Sequence, residues 1–105
     1  MKSLKIFNGY IYAGILIKHA ANDYEFAYDA SYLRGQNYPL SPTLPLREES
    51  FRSSYLFPFF FNLLPEGANK ETICRMRHID ENDYFSLLAS FSGKDFIGHI
   101  SVESV

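Results

Sequence analysis

The residues of this chain that could act as nucleophiles, bases or metal ligands are few and scattered. There is one cysteine, Cys74, and there are three histidines, His19, His78 and His99. The histidines lack the helical spacing of paired zinc ligands, and no second thiol exists to share a zinc site. We therefore expect no metal site and no catalytic residue.

Cys74 is followed by Arg75, Arg77 and His78 on a predicted helix, and nearby cations can activate a thiol as a nucleophile. The alternative is a buried, inert thiol, which we favour. A small enzyme that uses Cys74 or a histidine is accordingly less favoured than the two binding functions considered at the end of this subsection.

Motifs for nucleotide chemistry are also missing. The six glycines are scattered, and none opens a strand–loop–helix unit of the P-loop or dinucleotide-binding type. The segment Asp95-Phe96-Ile97-Gly98 imitates the Asp-Phe-Gly metal motif of kinases with one extra residue, but a His-Arg-Asp catalytic loop is absent. We expect no cofactor and no enzymatic activity.

Composition narrows the class of protein further. The 105 residues are 47% hydrophobic and 21% charged, which is typical of one globular domain. The net charge of −2 argues against a direct nucleic-acid partner or an anionic membrane surface. The most apolar run, residues 55–65, is about half the length of a membrane span and contains two prolines. The single cysteine and the absence of a signal-peptide pattern favour the cytoplasm.

The first third of the chain predicts an antiparallel β-meander. Asn8-Gly9 is a strong hairpin signal, and Gly14 inside the second strand indicates a bulge or a close approach of two backbones. A helical turn closed by Gly35 should follow the meander. The predicted strands are one before Asn8, one over residues 10–19, one over residues 24–29 and, after the proline-rich stretch, a short edge strand over residues 43–46.

The second half predicts three short helices and a final strand, so that the whole chain, residues 1–105, is a small single domain of the α+β class. Ser54 and Asp80 are the expected N-caps of the first and third helices. Phe96 should begin the last strand. The predicted helices cover residues 54–64, 68–77 and 81–91.

The first of these helices is unusually aromatic. At 100° per residue its apolar arc spans roughly 240°, well over the stripe of about 100° that a surface helix buries. One marginal residue, Phe61 or Tyr55, should then be exposed or covered by a partner, although a fully buried central helix is the alternative. Asn62 on the polar side and Glu66 after Pro65 should lie near the same edge. We predict partner binding by Phe61, Asn62, Glu66 and Tyr55.

A series of short fragments, in a specific order and spacing, runs through nearly the whole chain. The fragments are Gly14-Ile15-Leu16, Phe26-Ala27-Tyr28-Asp29, Tyr32-Leu33, residues 40–46, Phe57-Pro58-Phe59-Phe60-Phe61-Asn62, Leu63-Leu64-Pro65-Glu66-Gly67, residues 83–88, Gly93-Lys94-Asp95 and Ile97-Gly98. Through these fragments the chain resembles the N-terminal subdomain 1 of the HipA-type serine/threonine kinases, the toxins of bacterial toxin–antitoxin modules. One departure is His99, where the family usually has a small residue.

The resemblance implies two functions. Stand-alone versions of this subdomain resemble HipS, the antitoxin of tripartite HipB–HipS–HipT modules, which inhibits the kinase HipT by binding it. HipB, a helix-turn-helix DNA-binding protein, would be reached only through the complex. The second function is that of an accessory regulatory subdomain of a full-length HipA-type kinase, acting in cis.

Overall fold

The computed structural model describes residues 2–92 and 99–105. It confirms the α+β class, with a meander of strands, three short helices in the second half and a strand after them. Phe96, expected in that last strand, lies outside the described residues. The elements are β1 (Lys2–Asn8), β2 (Ile11–Ala20), β3 (Asp23–Tyr28), α1 (Ala30–Arg34), β4 (Phe51–Ser53), α2 (Pro58–Phe61), α3 (Gly67–Arg77), α4 (Tyr84–Ala89) and β5 (Ile100–Ser104).

The strands form one antiparallel sheet in the order β4-β3-β2-β1-β5. The predicted turn at Asn8-Gly9 connects β1 to β2, and Gly9 has a φ of 64°, which glycine adopts at little cost. The amide of Gly9 also donates to the carbonyl of His99 at 2.7 Å. This bond holds the residue before β5 against the hairpin, and His99 itself is exposed.

Gly14 fulfils both of its predicted roles. The register of β1 against β2 shifts between Ile6, which faces Gly14, and Phe7, which faces Tyr12, so Ala13 is the extra residue of a bulge. A Cβ atom on Gly14 would lie 2.2 Å from the carbonyl oxygen of Ala27 on β3. No larger residue fits there without separating the two strands.

The core lies on one face of the sheet. Leu4, Ile6, Leu16 and Phe26 are completely or almost completely buried there. Side chains on the other face, such as Ile15 and Ile17, are only partly buried. Alternation of this kind is expected of an antiparallel sheet covered on one side.

The edge strand predicted over residues 43–46 is wrong. Ser41 and Leu44 form an isolated bridge within a turn, and the edge belongs to β4, which pairs with β3. Pro42 and Pro45 cannot donate the backbone hydrogen bonds of a strand. Phe51 of β4, by contrast, packs its ring 6.5 Å from that of Phe26 in the core.

The aromatic helix is shorter than the predicted range of 54–64, and Ser54 is not its N-cap. It begins at Pro58, after Phe57 in an extended conformation with ψ of 136°. A proline disfavours helical geometry at the preceding residue but is well suited to the first helical position, where its missing N–H costs nothing. Tyr55 therefore lies before the helix rather than on it.

The third predicted helix also begins later than expected, at Tyr84 rather than residue 81. Asp83, not Asp80, is the N-cap, and its side chain accepts a hydrogen bond from the amide of Ser86 at 3.1 Å. Asp80 instead accepts from the amide of Asn82 at 2.8 Å within the preceding turn. Either aspartate could accept a hydrogen bond from a backbone amide at a helix start, but Asp80 accepts one within the turn before the helix.

Candidate partner-binding surface

Three of the four predicted partner-binding residues lie where α2 ends and α3 begins. Phe61 is the last residue of α2, and 42% of its surface is exposed. Asn62 is the C-cap of that helix, and Glu66 is the N-cap of α3; both are exposed. Tyr55 is 65% exposed and belongs to the segment between β4 and α2.

A small groove opens beside this connection. It has a volume of about 190 Å³ and includes Phe61, Glu66 and Tyr84 in its lining, whereas Asn62 and Tyr55 do not line it. We call it the Phe61 groove. The ring of Phe61 meets that of Tyr84 edge to face, with 4.9 Å between centroids, and Leu64, which is 7% exposed, adds a buried aliphatic side chain. Two aromatic rings and a leucine thus give the groove an apolar surface.

Two opposite charges border the apolar surface. Lys70 of α3 places its Nζ 5.6 Å from the centroid of the Tyr84 ring, within cation–π range. Glu66 also lines the groove, one helical turn earlier in the chain. In residues 2–92 and 99–105 neither charge has an oppositely charged side chain within 4 Å.

Asp83 is the N-cap of α4 and so helps to position Tyr84, the first residue of that helix, beside the groove. Burial raises the pKa of Asp83, but hydrogen bonds from the hydroxyl and amide of Ser86 outweigh it, and Lys18 at 3.9 Å adds a favourable charge. The net result is a pKa below the usual value for an aspartate. The N-cap of α4 is therefore ionised at neutral pH, which stabilises the helix start beside the groove.

The reactive residue types do not converge. Cys74 is 2% exposed on α3, and His19 contacts Glu25 on the sheet. The described part of the chain holds no group of three or more histidine, cysteine or acidic side chains able to bind a metal ion. It also has no helix long and apolar enough to cross a membrane. The arrangement at the groove is suited to recognition, through an apolar surface and separate charges.

Sequence reasoning missed Tyr84 and Lys70 as members of this surface. Tyr84 shares one apolar stripe of the third predicted helix with Leu87 and Leu88 by its i, i+3, i+4 spacing, and both leucines are buried. Its contact with Phe61 depends on how α2 and α4 pack, which the helical periodicity of either segment does not reveal. Lys70 carried a weak signal, since it follows Glu66 by one helical turn.

Comparisons with known proteins agree with this architecture. The model of a family described as the HipA N-terminal domain matches residues 4–103. An uncharacterised protein of Haemophilus influenzae is 32% identical over 88 residues, which cover 84% of this chain and 79% of that protein. A solved structure described as the N-terminal domain of HipA toxin is similar with a TM-score of 0.75 and 30% identity, and the match covers 100% of this chain and 93% of that one.

Proposed function

This chain belongs to the HipA N-terminal domain family, and from that premise we propose that it is an antitoxin that neutralises a HipT-type serine/threonine kinase by direct binding. The module would be of the HipB–HipS–HipT kind. The observation that carries the proposal is the continuous match of residues 4–103 to the N-terminal domain family. The relative from Haemophilus influenzae, of similar size, supports the idea of small stand-alone members.

The proposed role needs no chemistry from this chain itself. An inhibitor acts by occupying a surface of the kinase, so its requirements are complementarity and a few well-placed contact residues. We place this contact at Phe61, Asn62, Glu66 and Tyr55, the exposed residues around α2. A HipB-type protein would join through the kinase complex in the cytoplasm, without direct contact between this chain and nucleic acid.

The second candidate is an accessory regulatory subdomain of a HipA-type kinase, acting in cis. It is favoured by the similarity to a domain described as part of the HipA toxin. The genomic reading frame distinguishes the two candidates. A stop codon after Val105 with a separate downstream kinase gene supports the antitoxin, whereas a frame that continues into a kinase supports the accessory subdomain.

Co-expression with the adjacent kinase tests the antitoxin proposal. We expect cells that express the kinase alone to stop growing, cells that also express this chain to grow, and the two proteins to co-purify. Continued growth arrest with no co-purification, although this chain accumulates in folded form, would contradict the proposal.

Phe61→Ala tests the proposed contact surface. Truncation of an interface hot spot costs about 2 kcal/mol or more, which corresponds to a loss of affinity of at least about 30-fold. Growth rescue should fail in the same variant, while circular dichroism and a thermal melt should show a folded protein. Tyr38→Ala is the matched control, since Tyr38 is 83% exposed and does not line the Phe61 groove.

The outcomes separate three situations. If Phe61→Ala loses stability and binding together, Phe61 acts through the core instead of the interface. If the folded variant still binds and rescues growth, the contact surface is wrong but the antitoxin role is retained. If Tyr38→Ala weakens binding equally, the effect is not specific to the groove.

A further inference from the structure

The Phe61 groove has dimensions that limit what can enter it. Its volume of about 190 Å³ is below the range of roughly 300–1,000 Å³ that small-molecule and cofactor sites occupy. Its walls are the rings of Phe61 and Tyr84, which meet edge to face, and the buried side chain of Leu64. A space of this size and polarity is suited to one large apolar side chain of a protein partner.

The charges at the groove define the partner further. Lys70 is half-buried, and its ammonium group lies over the Tyr84 ring without an acidic partner in the described part of the chain. Glu66 is exposed and equally without a basic partner there. The two residues are four positions apart at the start of α3, so their backbones are separated by about one helical turn of 5.4 Å.

We infer that the groove takes one large apolar side chain of the partner, flanked by an acidic residue that meets Lys70 and a basic residue that meets Glu66. The partner's two charges lie about one helical turn apart, so that the basic residue faces the start of α3 at Glu66 and the acidic residue faces Lys70. Opposite charges on both sides set the register of the contact and raise the association rate, while the apolar side chain supplies most of the affinity. The identity of the partner as a HipT-type kinase rests on the proposed function.

Charge reversal tests this inference. Lys70→Glu should weaken binding to the kinase about tenfold, because an attractive pair becomes a repulsive one. Arg75→Glu is the matched control, since it makes the same change in net charge at an exposed position of α3 outside the groove. We expect Arg75→Glu to change affinity less than about threefold, through long-range effects alone.

Two further variants complete the design. Lys70→Arg keeps the positive charge and should bind like the unmodified protein. Glu66→Lys should weaken binding and Glu71→Lys, at an exposed position of the same helix outside the groove, should not. Circular dichroism and a thermal melt on Lys70→Glu, run beside the binding assay, separate a loss of the charge contact from a loss of folding.

The results distinguish this inference from the proposed function. Equal binding of Lys70→Glu and Arg75→Glu, while Phe61→Ala loses binding, would overturn the inferred charge contact and leave the antitoxin role in place. Loss of binding in Lys70→Arg as well would mean that Lys70 acts through shape rather than charge, which also overturns it. If the unmodified chain does not bind the kinase at all, the proposed function fails, and the inference fails with it.

Discussion

Glu25 has several polar contacts on the partly buried face of the sheet. Its Oε1 accepts a hydrogen bond from Nε2 of His19 at 2.7 Å and lies 3.8 Å from Nη1 of Arg52. Hydrogen bonds from the side chains of Ser50 and His19, together with the charge of Arg52, hold the pKa of Glu25 below its usual value against the opposing effect of burial. These contacts connect β2, β3 and the edge strand β4.

The depressed pKa makes part of the stability depend on pH. A carboxylate with a lowered folded-state pKa contributes stability in full above its unfolded pKa of about 4.3, and loses it as the pH falls through the folded value. Glu25→Gln should therefore lower the free energy of unfolding by about 1 kcal/mol at pH 6, with a smaller difference at pH 3. Urea unfolding at both pH values measures this.

A surface carboxylate provides the comparison for Glu25. Glu48 is exposed and has no ion pair in the described part of the chain, so Glu48→Gln should leave stability unchanged at both pH values. A difference between Glu25→Gln and the unmodified protein that is equally large at pH 3 would contradict the electrostatic explanation. It would point to packing of the side chain instead.

At the scale of single elements, the sequence predicted the structure well at positions where the backbone conformation requires one residue type, such as glycine. Asn8-Gly9 predicted the first hairpin, and Gly14 predicted the close approach of β2 and β3. The N-cap prediction was wrong because Asp80 and Asp83 both have side chains able to cap a helix. The edge-strand prediction was wrong because core packing selects the segment with Phe51, and not residues 43–46, to pair with β3. Sequence patterns contain no information on which of two local options the core will favour.

The same limit applies to the partner-binding surface. The excess of apolar residues around the predicted helix indicated that one marginal residue, Phe61 or Tyr55, is exposed or covered by a partner. Both are exposed, although Tyr55 precedes the helix, which is only four residues long. The groove itself requires α4 to lie against the end of α2, which is a property of tertiary packing. Tyr84 and Lys70 therefore became visible as its members only in the folded structure.

The leucines of the second half give a direct test of how α4 and the residues after α2 are packed. Leu88 is completely buried, whereas Leu63 is only partly buried. Leu88→Ala should lower the free energy of unfolding by about 2–5 kcal/mol, and Leu63→Ala by clearly less. Chemical denaturation of both variants measures the difference, and equal losses would contradict this arrangement of the two leucines.

At the scale of the whole molecule, the chain combines a sheet covered on one face with a helical layer whose groove faces outward. The sequence contains no glycine motif of the P-loop type, and the described residues contain no cluster of three or more histidine, cysteine or acidic side chains able to hold a metal ion. Phosphoryl transfer depends on both, because it is mainly positioning and charge stabilisation. The family match of residues 4–103 is to the HipA N-terminal domain, and we propose that the molecule binds a protein and does not itself transfer phosphate.

This leads to a prediction for the isolated protein. Titration with Mg-ATP in a calorimeter should give no binding heat in the micromolar range, and incubation with labelled ATP should transfer no phosphate. The full kinase complex, measured in parallel, is the positive control. Micromolar binding of Mg-ATP by this chain alone would contradict the non-enzymatic interpretation.

The position of β1 between β2 and β5 has a consequence for how the chain reaches its native state. β1, β2 and β3 are consecutive hairpins, so their pairing requires only short loops to close. The other edge of β1 pairs with β5, with Lys5 opposite Glu103, and this contact spans almost the whole described chain. Long-range closure of this kind is slow. During synthesis on the ribosome, β1 therefore keeps one open edge until β5 has emerged, and in that interval the nascent chain is most prone to pair with another chain.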